Sequence, residues 1–519
     1  MPGILKRGLI TPSLADLFPA ILLLAEFGRP AAWQALLADG DTGWHIRTGD
    51  FILRSHTVPL HDLFSFSRPD QPWYAWEWLS EVVFALLHRW HGLQAVAAFS
   101  AALLSITAAV LLCWLLRRGA GLWIALALVL ATVSASTIHH LARPHVFTLF
   151  FLTLALWLLD EDRRRPGIFL WFLPPITALW TNLHGGFVVW LAILGLLVAT
   201  QALQSRWAAV RRYGLLAALC SAATFLNPYG WRLHQHIFRY LNSSWIQDSV
   251  SEFQSPRIRS ENMLVFAALL LLGVALASRA FARGEWFHGA LVPVLGFAAL
   301  RSARHVPLYA VAAATLIAFE CAAWWQRAAA RRSPRAAVRV WWDLGADLGR
   351  SSRLGPWSAV FLSLALLAAV PRTALADFPK SFPTEALAHN LDLLRPPNAM
   401  PRILTSDQWA DYLIFRLYPR QRVFFDGRSD FYDPAIGSDY QAWFAVRPGW
   451  HDTLERYGFE IALLPLDWPL GSVLERDPGW RTVYRDSVAL LLVRNAAGPA
   501  PAYTLKESSV TAECKPASE

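Results

Sequence analysis

The first 370 residues alternate apolar runs with short polar loops about eleven times, and this alternation restricts the fold more than any other feature. Runs fall at 93–116, 122–138, 146–159, 168–180, 187–203, 215–226, 263–277, 287–300, 306–325 and 357–370. They hold 12 to 24 residues each, the longer ones near the ~20 that cross a hydrocarbon core as a helix. Inside a bilayer the backbone must bond to itself, so helices are the expected form. An earlier run, 14–37, contains Glu26 and Arg29-Pro30, which predicts a break, and Pro174-Pro175 predicts a kink in 168–180.

Composition agrees. A hydrophobic share of 55% against 16% charged residues is wrong for an ordinary soluble protein and points to a polytopic α-helical membrane protein. Its 26 tryptophans suit the headgroup belt, although an apolar core accounts for some. The net charge of +9 lies in short basic runs between apolar segments, a positive-inside pattern that argues against nucleic acid as a partner. Cys113, Cys220 and Cys321 lie in apolar runs and Cys514 in a polar tail, with no zinc spacing, so no cysteine chemistry is expected. Lys6 and Arg7 precede the first run without a cleavage pattern, which reads as a retained first helix.

Sidedness follows from the same runs. With a cytoplasmic N-terminus, Arg117-Arg118, Arg163 to Arg165, Arg206, Arg211-Arg212, Arg279, Arg283 and the basic run 327–339 all fall on one side. The other side receives the loop 39–81, HHLARPH (139–145), TNLHGG (181–186), NPYG (227–230) with the loop to Glu261, and RSARH (301–305). An odd number of crossings places the C-terminal region there too. The expected organisation is a membrane domain 1–376 with a first extracytoplasmic loop 38–92, an extracytoplasmic α/β domain 377–497 and a disordered tail 498–519. In the α/β domain PRILTS, RVFFDGR, EIALLPL and WRTVYRDSVALLLVR read as strands; DQWADYLIFRLYP and SDYQAWFAVRPGWHDTLERYG read as helices. The implied location is a bacterial inner (cytoplasmic) membrane, with membrane lipid as a partner.

The loop 39–81 is the longest polar interval among the apolar runs, and candidate chemistry concentrates there. Asp39 and Asp41 flank Gly40, and a short helix 42–48 closed by Gly49 is expected to follow. Asp41 then serves as N-cap. Asp39 has no such duty, which leaves its carboxylate able to take a proton from a hydroxyl or to hold a divalent cation; the opposite reading is a solvated loop acid. Glu77 opens an amphipathic helix whose apolar face carries Leu79, Val82, Val83, Leu86, Leu87 and Trp90; it either caps that helix or acts as a second acid. His56, His61 and Asp62 bracket Pro59 in an extended segment and can line the site, but their loose spacing is a weak metal signal; His45 and His61 are candidates to bind substrate.

The remaining loops supply cations at helix ends: Arg143 and His145 around Pro144, His184 before Gly185-Gly186, and Arg301, Arg304 and His305. Guanidinium binds phosphate oxygens in bidentate fashion, so these residues suit a phosphate group, against the simpler reading that Arg301 and Arg304 reach lipid headgroups. Asn182 and Asn227 read as helix-end bridges. Asp426, Arg428 and Asp430 follow an expected strand, where α/β folds often place ligands, although a turn at Gly427 also explains them.

The motifs DGDTGWHIRTGDFIL, PWYAWEWLSE, TNLHGGF, NPYGW and FFDGRSDFY, with the Asp pair in the first loop and about eleven spans, resemble the integral-membrane GT-C glycosyltransferase superfamily, nearest to a bacterial group of uncharacterised polytopic proteins classed with it. That resemblance implies transfer of a sugar from a polyprenyl-phosphate carrier to an extracytoplasmic acceptor. It also implies an acid of the first loop as base or metal ligand, a role falling on Asp39 or Asp41. A transporter or flippase of lipid-linked saccharides would place ionisable residues at mid-span, where only Glu26 and Glu320 stand; a non-catalytic assembly subunit is the third possibility.

Overall fold

The computed structural model describes residues 11–369, 378–432 and 434–495. Lys6, Arg7, the boundary at 376/377, Cys514 and the tail 498–519 lie outside the described residues. Helices dominate the N-terminal three quarters. They are α1 (Leu14–Phe27), α2 (Pro30–Leu36), α3 (Asp41–Ser55), α4 (Trp78–Arg117), α5 (Leu122–Ala135), α6 (His145–Arg164), α7 (Leu173–Leu183) and α8 (Phe187–Leu203). There follow α9 (Trp207–Ala223), α10 (Trp231–Leu241), α11 (Ser244–Ser249), α12 (Glu261–Ala282), α13 (Trp286–Arg301), α14 (Val306–Ala330), α15 (Ala337–Ser351) and α16 (Pro356–Ala369).

Among the described residues, three helices are long and apolar enough to cross a membrane: Trp78–Arg117, Asn262–Ala282 and Ala303–Ala330. Four shorter apolar helices accompany them. Their outer faces carry large apolar side chains in the open, such as Leu271 at 75% and Phe297 at 68% exposure, a surface that belongs in lipid. The chain is a membrane protein.

Local chemistry explains the breaks. Pro30 starts α2, so the first run divides at Arg29-Pro30 as expected. Gly92, at φ +67°, splits α4 into an interfacial portion and an apolar portion. Two expectations fail. Pro174 and Pro175 kink nothing, because they occupy the first turn of α7, where a missing N–H costs no hydrogen bond. Gly49 does not close a helix at 48, because α3 runs on to Ser55; the glycine is there because α3 lies against α4 so closely that a Cβ would collide with the Glu81 carbonyl.

The helices gather their polar ends into two groups. At one end, Arg118 pairs with Asp160, Arg163 with Glu285, Arg212 with Asp162 and Arg283 with Glu320. At the other end of α6 lie Arg143 and His145, which face the first loop.

The C-terminal unit has α17 (Thr384–His389), α18 (Leu391–Leu394), β1 (Ile403–Leu404), α19 (Asp407–Leu417), α20 (Pro434–Phe444), α21 (Trp450–Tyr457), β2 (Ile461–Pro465), α22 (Pro469–Leu474), β3 (Trp480–Arg485) and β4 (Ala489–Arg494). Its sheet runs β1-β2-β4-β3, with β1 parallel to β2 and the other pairs antiparallel. RVFFDGR is not in that sheet. Val423 instead bonds to the first loop, its N–H to Phe64 O at 2.9 Å and its carbonyl to Phe66 N at 2.9 Å. Helix α3 packs along α19, with Gly40 N–H donating to Gln408 Oε1 at 2.7 Å and Arg47 Nε to Phe415 O at 2.6 Å. The first loop is thus built into the C-terminal unit.

A buried ion cluster locks that union. Arg428, 1% exposed, binds Asp62 at 2.8 Å and Asp426 at 2.7 Å, and stacks over Phe64, Trp73 and Phe431. Tyr432 OH donates to Asp426 at 2.9 Å. Asp426 and Arg428 therefore serve as a clasp, and Asp430 pairs with His236 at 2.9 Å.

Candidate active site

The capping duty expected of Asp41 falls to Asp39. Helix α3 starts at Asp41 without a side-chain bond from its N-cap, Gly40. It is Asp39 Oδ1 that accepts the Asp41 N–H, at 3.0 Å. Asp41, 4% exposed, turns inward, where its Oδ1 lies against Gly427 and Asp411. A Cβ at Gly427 would collide with that oxygen, so the backbone can come this close only as glycine. Burial pushes the Asp41 carboxyl up to about 7, against the pull of Arg143 and with the help of Asp39. Asp411, from α19, is raised by burial and by Asp41.

Arg143 sits among three carboxylates, 2.8 Å from Asp39, 2.6 Å from Asp41 and 2.9 Å from Glu252. Burial pushes Glu252 up, but Arg143 and Arg304 hold it down at about 2. Arg304 stands 3.7 Å from Glu252 and donates to Tyr240 OH at 3.2 Å. These contacts decide whether the acids suit a divalent cation. They do not, because the guanidinium occupies the point on which the carboxylates converge, and among the described residues no group of three or more His, Cys, Asp or Glu is placed to hold a metal ion.

Two chambers meet here. The inner one, about 160 Å³, has an apolar wall of Val188, Val189, Ile237, Leu241 and Leu308, and also carries His139, His145 and His305. The outer one, about 870 Å³, opens between the first loop, the α11 region and the C-terminal unit, and includes Asp39 and Asp41. Glu77, Arg143, His184, Tyr240, Glu252 and Arg304 line both and form the passage between them.

Glu77 is buried, 3.4 Å from His184 and 3.6 Å from His45. It makes no capping bond to α4, and burial pushes it up to about 8, so at neutral pH it is a carboxylic acid. His184 Nδ1 accepts the Gly186 N–H at 3.0 Å and contacts Thr148 Oγ1 at 2.7 Å. Its neutral-state proton therefore sits on Nε2, toward Glu77 and the passage. Burial lowers the His184 pKa, and Arg304, His139 and Arg143 add to the effect.

Of the residues singled out by sequence, Asp39, Asp41, Glu77, Arg143, His145, His184, Arg304 and His305 line one or both chambers. His45 lies behind them, 1% exposed, between Glu77 and Glu81. His61 is exposed, and Arg301 is exposed and contacts Gln247; neither lines a chamber. Asn182 bridges helices, accepting from Trp78 Nε1 and donating to Leu226 O. Sequence reasoning passed over Glu252, Tyr240, His139 and Asp411. HHLARPH contains His139, but no signal marked Glu252 or Asp411, whose place depends on docking across about 100 to 370 residues of chain.

No protein-family model and no curated protein matches the chain. Solved structures do. The archaeal oligosaccharyltransferase AglB from Archaeoglobus fulgidus, in complex with an inhibitory peptide and a dolichol-phosphate, matches with TM-score 0.58 and 11% identity over 93% of this chain and 74% of that one. The chain has the GT-C fold. ArnT from Cupriavidus metallidurans in the apo state agrees, with TM-score 0.52 and 15% identity over 95% of this chain and 100% of that one. At such identity the likeness carries the GT-C fold alone, and chemistry must be argued from the chambers.

Proposed function

We propose that the protein is a membrane glycosyltransferase that moves a sugar from a polyprenyl-phosphate carrier to an acceptor. The supporting observation is the passage itself: two arginines and a histidine Nε2–H lie where an apolar-walled chamber meets a polar one, within a GT-C fold. A lipid phosphate needs both kinds of wall. Its isoprenoid end lies along Val188, Ile237 and Leu308, and its phosphate faces Arg304, Arg143 and His184. AglB, whose fold this chain shares, was solved with dolichol-phosphate. Glu77, being neutral, does not repel the phosphate and can donate a hydrogen bond to it.

Asp39 is the more open of the two first-loop acids, with 13% of its side chain exposed against 6% for Asp41. It takes the proton as the acceptor hydroxyl oxygen bonds to the anomeric carbon. The bond from that carbon to the phosphate oxygen breaks, the carrier leaves as polyprenyl phosphate, and direct displacement inverts the configuration. About eleven spans with the N-terminus in the cytoplasm put both chambers on the extracytoplasmic side of a bacterial inner membrane. Asp39→Asn should lose at least about 100-fold in transfer from a labelled polyprenyl-phosphate sugar while still binding the carrier. Full activity in that variant refutes the assignment of the base.

A further inference from the structure

The chain carries a net charge of +9, yet nine carboxyl-bearing residues line the outer chamber against four arginines; with Glu77 neutral and Asp41 pushed up to about 7, the other seven still outnumber the arginines. Three of those arginines are committed: Arg143 to Asp39, Asp41 and Glu252, Arg304 to Glu252 and Tyr240, and Arg428 to Asp62 and Asp426. Asp248 and Asp467 stand exposed in the wall. An anionic ligand meets like charge here, which opposes its binding. The expected ligand is neutral or cationic.

The far wall adds a second property. Phe444, 47% exposed, meets Trp468 edge-on at 4.8 Å, and Trp468 borders Tyr440 at 6.1 Å. Tyr440 is held rigid, stacked on Phe425 at 4.5 Å and bonded through its hydroxyl to Asp407. Rigid rings offer apolar faces at low entropic cost, and Gln441 and Asp467 beside them supply an amide and a carboxylate. Faces with one apolar side and a polar edge match the C–H face and hydroxyl rim of a pyranose. Trp44 and Trp245, also in this wall, have indole N–H groups without an acceptor among the described residues. Of the sheet only Pro465 reaches the chamber among the described residues, so no strand edge is offered for pairing with an extended peptide. At about 870 Å³ the space suits several rings.

We propose that the outer chamber is an acceptor site for a neutral saccharide, whose terminal hydroxyl lies at Asp39 and whose preceding rings lie along Phe444, the exposed ring that the buried Trp468 and the stacked Tyr440 back. The proposal rests on the glycosyltransferase reading of the same site. It is tested by applying the purified full chain in detergent to an array of neutral oligosaccharides, uronate-containing oligosaccharides and peptides. Signal should be confined to neutral saccharides and fall about tenfold in Phe444→Ala and in Asp467→Asn. Both side chains are exposed, so melting midpoints should not change. Signal on acidic glycans or on peptides, no signal, or signal unaffected by both substitutions overturns the proposal. Undecaprenyl phosphate binding, read in parallel by native mass spectrometry, separates the two ideas. A bound carrier with a blank array sinks the saccharide acceptor alone, whereas absent carrier binding sinks the glycosyltransferase reading beneath it.

Discussion

Replacing Arg143 with glutamine removes the one cation that three carboxylates share, and the structure supplies the size of the effect. Glu252 falls from its ordinary 4.5 to about 2, with Arg143 the largest cause that lowers it. That difference corresponds to ~3.4 kcal/mol, part of which belongs to Arg304. Loss of one partner from a buried pair costs ~3 to 5 kcal/mol, so Arg143→Gln should cost at least ~3 kcal/mol at pH 8. The sign of the pH dependence follows from Glu252. A carboxyl whose folded pKa is depressed contributes stability that is complete above 4.5 and lost as pH falls toward about 2. The variant lacks this contribution, so the gap between the proteins should be full above pH 5 and narrow on acidification. Melting followed by tryptophan fluorescence between about pH 2.5 and pH 8 reads it. With the guanidinium gone, Asp39, Asp41 and Glu252 also become free to hold a cation, so Mn²⁺ should bind the variant and not the parent, as seen by electron paramagnetic resonance. An unchanged midpoint at pH 8, or a gap independent of pH, refutes the argument that Arg143 neutralises this corner.

Two other outcomes are expected. Glu77 is neutral below about 8, so carrier affinity should be similar for the parent and Glu77→Gln at pH 6.5, then fall for the parent alone above pH 8 as a carboxylate faces the phosphate; parallel profiles in a lipid-phosphate binding titration would contradict this. Arg428→Ala leaves Asp62 and Asp426 buried without their cation, which should cost ~3 to 5 kcal/mol and open the segment between Thr57 and Trp73 to limited proteolysis; a protease-resistant loop in that variant would remove the clasp from the account.

The helical architecture could be read from the sequence because a long continuous apolar run satisfies its own backbone in hydrocarbon as a helix, whereas barrel strands alternate, and the polar residues at helix ends stood out because they break apolar runs at a cost. Arg143, His184 and Arg304 were found that way. Residues whose meaning depends on a distant partner were not. Gly49 looked like a terminator because glycine commonly ends helices, whereas its reason is the Glu81 carbonyl on another helix. RVFFDGR has a strand pattern, but the backbone it pairs with is the first loop, more than 350 residues earlier. Asp411 sits in DQWADYLIFRL as an acid on an amphipathic helix would, and only the docking of α3 on α19 buries it beside Asp41.

The same dependence explains why the capping duty passes from Asp41 to Asp39. Local rules assign it to Asp41, at the start of its own helix, and give Asp39 no structural duty. Once α19 closes over the loop, the open end of α3 faces Gln408, Gly427 and Asp411 rather than water. The inner acid then meets protein on one side and Arg143 on the other, and at the start of the helix it is Asp39 that accepts a backbone N–H, that of Asp41. Asp39 therefore has a structural duty after all, yet it keeps the more open carboxylate, because its capping bond uses Oδ1 and its Oδ2 lies at the chamber surface beside Arg143. Both acids hold the cation, and Asp39 alone also presents itself to the acceptor space. That division depends on the C-terminal unit being in place, so the outer chamber and its proposed base are assembled by the same contact.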